Sequence, residues 1–153
     1  MDQQVISQVI EKVVEEIGKP SMTLDMAKAL IDKIEKRAEQ MQLSVVIVVA
    51  DQSARPVAVH CMDDAYIASY DIAFNKAFTS ASLKISTAEL SKLSGPGQPL
   101  YGIQNTNEGK IVIFGGGEPL KRNGRIVGAL GVSGGTLEQD TYLAAYGREI
   151  FEQ

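Results

Sequence analysis

The segment Ser44 to Ala50, SVVIVVA, constrains this chain more than any other. A strand with one face in water alternates apolar and polar side chains. An unbroken β-branched run has no polar face to offer, so it belongs in the middle of a sheet with both faces covered. Asp51 to Pro56 is turn-forming, and residues 57–62 (VAVHCM) are strand-like again. The two runs read as an antiparallel hairpin.

The covering layers are visible as helical periodicity. Val5, Ile6, Val9, Ile10, Val13, Val14 and Ile17 recur in pairs every four residues and predict an amphipathic helix over 4–17. Gly18, Lys19, Pro20 and Ser21 stop it. Thr23 is the expected N-cap of a second helix reaching about Gln42, with Leu24, Ala27, Leu30, Ile31, Ile34, Ala38 and Met41 on its buried face. A third helix spans Tyr66 to about Leu83. Ser86, with Glu89 at capping-box distance, starts a short fourth that ends near Leu93.

Residues 94–110 are loop-rich, and 110–114 predict a strand followed by Gly115, Gly116 and Gly117. Asn123-Gly124 is a hairpin turn signal. Residues 125–132 form the next strand, and Ser133-Gly134-Gly135-Thr136 enters a last helix ending near Phe151. This order predicts an α+β fold with an antiparallel sheet. It divides into an N-terminal helix and linker (1–20) and a domain (21–153).

Composition removes several function classes. The net charge is −4, and Arg55, Lys84, Lys121, Arg122 and Arg125 are scattered among acids, so there is no basic stripe for nucleic acid. Cys61 is the single cysteine, which excludes an intrachain disulfide and a cysteine-rich zinc site. The start MDQQVISQVIEK lacks the basic and apolar regions of a signal peptide, and no run reaches the roughly 18 apolar residues of a membrane span. A cytoplasmic protein is the expectation.

Several segments together resemble the GlcG/HbpS family of haem-associated proteins, which includes the PduO C-terminal-like domains. They are MTLDMAKALI, VVIVVAD, HCMDDA at 60–65, NKAFTSA at 75–81, GQPLYGI at 97–103, FGGGEPL at 114–120 and GALGVSGGTLEQD at 128–140. The likeness covers roughly residues 22–150. It implies a profilin-like fold, a five-stranded antiparallel sheet between helices, and a homo-oligomer. It implies haem binding in some members and association with glycolate or diol metabolism in others. One departure stands out. The Asp-x-x-Gly turn usual after the first strand is Asp51-Gln52-Ser53-Ala54 here, so a different hairpin turn is expected. The first helix lies outside this likeness and resembles the encapsulation peptides that target bacterial microcompartments. Such a helix lays its apolar stripe in a partner's groove; packing on its own domain or across an oligomer is the other reading.

The candidate site residues are few. His60, the only histidine, can ligate haem iron or a metal, or stand inert at a strand edge. Strand alternation sets His60 and Met62 on one face, with Cys61, Val57 and Val59 on the other. His60 and Met62 lie about 7 Å apart along the strand and cannot clamp both sides of one iron. A haem site at a subunit interface is the geometry that satisfies this. Ser133, Gly134, Gly135 and Thr136 can present helix N-terminal N–H groups to a carboxylate or phosphate, or form a simple capped turn. Glu138 and Asp140 in that first helical turn would repel an anion. Gly115, Gly116 and Gly117 can approach a ligand or form a bend, and Lys76 can neutralise a propionate or a substrate carboxylate or remain solvated.

No Ser-His-Asp, Cys-His or metal-carboxylate constellation is readable. Three function classes remain open: an oligomeric accessory protein binding haem, a related cofactor or a small carboxylate; an enzyme acting on a small oxygenated metabolite; and a structural subunit.

Overall fold

The computed structural model describes residues 2–18 and 21–153, so the Lys19-Pro20 part of the expected helix stop lies outside the described residues. The elements follow in chain order as α1 (Gln3–Ile17), α2 (Leu24–Gln40), β1 (Val46–Asp51), β2 (Pro56–Cys61), α3 (Ile67–Leu83), α4 (Thr87–Ser94), β3 (Gly117–Arg122), β4 (Arg125–Ser133) and α5 (Leu137–Glu152). Two short 3-10 turns interrupt the loop before β3. The sheet runs β2-β1-β4-β3 and is antiparallel throughout.

The apolar run becomes an inner strand, and Val46 to Ala50 are fully buried. Its two faces serve two cores. Ile47 and Val49 join Leu30, Ile31 and Ile34 of α2 and Leu143 and Phe151 of α5. Val46, Val48 and Ala50 join Ala73 and Ala77 of α3. Each fully buried Val or Ile contributes roughly 1.5–3 kcal/mol of transfer free energy, so the strand holds the three layers together. Local signals set the helix starts. Thr23 Oγ1 accepts from Met26 N at 3.2 Å, and both Ser86–Glu89 and Thr136–Gln139 form capping boxes.

The expected five-stranded sheet is corrected to four strands among the described residues. Residues 110–114 form no strand. Their backbone is tied to α3 instead: Thr79 Oγ1 accepts from Val112 N at 3.0 Å and lies 3.3 Å from Lys110 O. Ile111 is buried there, so the run satisfies its apolar character by packing on a helix, without a ladder partner. Pairing with β4 begins only at Gly117, opposite Gly131.

Two details of the hairpin also differ from expectation. Val57 sits where the β1–β2 register shifts, and it packs on the α2 side with His60 rather than opposite it. Ala54 stands at φ 62°, so the loss of glycine has not removed the left-handed step from the turn. Asp51 holds that turn, accepting from Ser53 N at 2.9 Å and Arg55 N at 3.1 Å.

α1 follows its own sequence pattern, with Asp2 accepting from Gln4 N at its start. Its stripe stays uncovered: Val5, Ile6, Val9, Ile10, Val13 and Val14 are all exposed. None of the described helices is long and apolar enough to cross a membrane.

Candidate functional site

Strand register sorts the sequence-derived candidates onto opposite faces of the sheet. His60 pairs with Ile47, which pairs with Val132, and this row faces α2. Cys61 pairs with Val46, which pairs with Ser133, and this row faces α3. His60 and Met62 therefore share a face, as their spacing requires. Met62 packs against the α2-side core, and His60 Nδ1 lies 2.7 Å from Glu35 Oε1. Ser133, the glycine loops and Lys76 gather on the other side.

Lys76 is the pivot of that second group. Its side chain is 1% exposed, so it is not a solvated lysine on a helix surface. Nζ donates to Val132 O at 2.8 Å and to Asp140 Oδ2 at 3.1 Å, and it lies 5.2 Å from the centre of the Phe114 ring. Burial pulls its pKa below the ordinary lysine range, and the Asp140 carboxylate opposes that shift. Gly116 makes room for it. A Cβ at this position would lie 2.6 Å from Nζ, and φ is +120°. The three glycines lead into β3 rather than away from a strand, and Gly117 N donates to Thr87 Oγ1 at 2.9 Å.

The Ser133-Gly134-Gly135-Thr136 turn does hold a carboxylate, and it is the chain's own. Asp140 Oδ1 accepts from Gly135 N at 2.8 Å, and Oδ2 accepts from Gly134 N at 3.4 Å. Thr136 N donates to Gln139 Oε1 at 2.8 Å. Asp140 thus links the loop, α5 and Lys76 into one buried network. In sequence it read only as an acid that would repel an anion at this turn, because the lysine that meets it is 64 positions away.

A cleft of about 320 Å³ opens beside this network, between the N-terminal ends of α3 and α5. Tyr66, Ile72, Phe114 and Leu137 form apolar walls, and Ser133 and Gly135 line its polar side. Ser133 Oγ and Ser69 Oγ satisfy each other at 3.3 Å. The rim is unusually apolar: Ile67 is 96% exposed and Tyr66 74%. The four wall residues were not candidates in sequence. Phe114 read as the last residue of the expected strand 110–114, and Tyr66 and Leu137 only as residues at helix starts.

A model of the haem-degrading protein HbpS-like family matches residues 22–149. The chain belongs to that family. This HbpS-like chain is 42% identical over 133 residues to an uncharacterised 15.0 kDa protein from the dhaT–dhaS intergenic region of Citrobacter freundii, covering 87% of this chain and 94% of that one. It is 41% identical over 109 residues to the corrinoid adenosyltransferase PduO of Salmonella typhimurium, covering 71% of this chain and 32% of PduO. It also superposes on the crystal structure of a PduOC–haem complex with a TM-score of 0.82 and 34% identity, covering 88% of this chain and 100% of that one. The family match begins after α1.

Proposed function

We propose that this HbpS-like chain is an oligomeric accessory protein that binds haem in the cleft between the N-terminal ends of α3 and α5. The observation that carries the reading is an open, aromatic-walled cleft with glycine backbone along one side. Apolar walls with a few placed polar groups suit a flat macrocycle. The PduOC relative is described in complex with haem, which supports the same ligand class here.

The residues present fit that group in part. Apolar surface is supplied by Tyr66, Phe114 and Leu137. One donor of a kind that holds haem iron lines the cleft, the Tyr66 phenol at its rim; the Cys61 thiol is exposed on the same face of the sheet but does not line the cleft. His60 faces the other way. Lys76 is neutralised by Asp140, so it does not balance a propionate. The exposed Tyr66, Ile67, Tyr70 and Leu137 give a second copy a surface on which to close the cleft. Because the buried lysine and aspartate are spent on each other, binding is favoured over acid–base chemistry.

The test is a haemin titration followed at the Soret band. The wild type and His60→Ala should show a saturable shift, and Tyr66→Ala and Leu137→Asp should weaken it. No shift in the wild type, or loss in His60→Ala with full binding in Tyr66→Ala, would overturn the assignment.

The uncovered stripe of α1 favours a second role. We infer that residues 4–17 dock on a partner as an encapsulation peptide docks on a microcompartment shell, placing the domain inside that compartment. An isolated helix of this length is marginal in water and gains stability from such a partner. Deleting residues 1–20 should disperse a fluorescent fusion that otherwise co-localises with shell protein. Unchanged localisation would sink this reading, and a smaller particle on sedimentation would reassign the helix to self-association.

A further inference from the structure

The chain's one imidazole stands beside two carboxylates that the cleft does not use. Asp32 and Glu35 are three residues apart on α2, so they project from the same side of the helix about one turn apart. His60 comes to them from β2, one of the two outer strands of the sheet. Each of the three offers one ligand atom, and these atoms all lie within 4.8 Å of one another. Glu35 and His60 are part-buried and Asp32 is exposed, so water has access to the group.

We propose that Asp32, Glu35 and His60 bind a divalent first-row transition metal ion at the α2–β2 edge, on the face of the sheet opposite the cleft. The donor set is two carboxylate oxygens and one imidazole nitrogen. Two carboxylates so close repel each other unless a cation lies between them, and a divalent ion balances both. Imidazole selects zinc, iron or nickel over magnesium and calcium, which prefer all-oxygen sites. Donors held about 2.1 Å from a tetrahedral ion stand about 3.4 Å apart. The Glu35–His60 contact of 2.7 Å therefore opens by a few tenths of an ångström as the metal enters, while exposed Asp32 swings inward. Three protein ligands leave a coordination position for water, the pattern of an exchangeable site rather than a closed structural one. A simple Glu35–His60 ion pair gives no role to Asp32, which has no salt bridge among the described residues although α2 also carries Lys28, Lys33 and Lys36.

The experiment is calorimetric titration of the chelator-treated full chain with zinc chloride, with magnesium chloride as control. One zinc per chain is expected, with no saturable magnesium binding. Asp32→Asn, Glu35→Gln and His60→Ala should each weaken zinc at least about tenfold, the loss that even outer-shell substitutions cause. Cys61→Ser should leave it unchanged. The three ligands lie at the surface, and circular dichroism should show each variant folded. Absence of saturable zinc binding, wild-type affinity in Asp32→Asn, or loss in Cys61→Ser would each overturn the site. Haemin binding is read separately at the Soret band, so this result and the cleft assignment fail independently.

Discussion

Replacing Gly131 with alanine probes how closely α3 is seated on the sheet. The new Cβ would lie 2.0 Å from Ala73 O, 2.8 Å from Ala77 N and 3.0 Å from Ala73 C. All three are backbone atoms of α3, so no side-chain rotation relieves the clash. Restoring an ordinary contact near 3.4 Å moves the helix outward by about 1.4 Å. That motion lifts Ala73 and Ala77 off Val46 and Val48, and it carries Lys76 Nζ away from Val132 O. Overpacking of a well-filled core costs about 1–3 kcal/mol, and a rigid helix backbone puts this site at the upper end. Alanine recovers about 0.4–1 kcal/mol by restricting the unfolded chain, leaving a net loss of about 2 kcal/mol. At about 2–4 °C per kcal/mol for a domain of this size, Tm falls by about 4–8 °C. Urea unfolding followed by far-ultraviolet circular dichroism measures it. Gly95→Ala is the control, since its Cβ meets only the Gln98 side chain, at 4.0 Å, and it should change stability by less than about 0.5 kcal/mol. A Gly131→Ala variant as stable as that control would refute the argument that backbone proximity requires glycine here.

Other outcomes follow from named contacts. Ala54→Gly should raise stability by about 0.5–1 kcal/mol, because glycine takes the φ of 62° without the Cβ clash; a loss in chemical denaturation would count against this. Lys76→Met should cost about 3 kcal/mol, the low end for breaking a buried pair, because Asp140 keeps the Gly135 N–H. Adding Asp140→Asn to that variant should recover part of the loss, and a Tm shift under about 2 °C for Lys76→Met alone would contradict the pairing. Glu118 is buried beside Arg148, at 2.9 Å, and burial raises its pKa above 4.5 against the opposing pull of the arginine. The unfolded chain then loses its proton before the folded one. The contribution is present in full below pH 4.5 and is lost as pH rises through the folded pKa. The stability of the wild type relative to Glu118→Gln should therefore improve as pH falls toward 4.5, and a pH-independent difference would show that the carboxyl is not perturbed.

Local signals carried the elements, and long-range packing decided their use. Periodicity and capping residues placed α2, α3, α4 and α5 to within a residue or two, because helix ends depend on side chains a turn away. The run 44–50 announced an inner strand, because nothing in it can face water. The same reasoning failed at 110–114, where a hydroxyl on α3 took the backbone hydrogen bond a sheet would have supplied. Register made His60 and Met62 neighbours on one face, as alternation demands. Only the assembled sheet showed that this face is not the one with the cleft. In sequence Lys76 was open to two roles, neutralising a ligand's carboxylate or staying solvated, and neither was met: the fold brings Asp140 and Val132 to it, 64 and 56 positions along the chain. Helices and inner strands were legible locally, since the information that specifies them lies within a few residues of each position. Tertiary structure decided which side chains meet, because partners so far apart leave no local pattern to read.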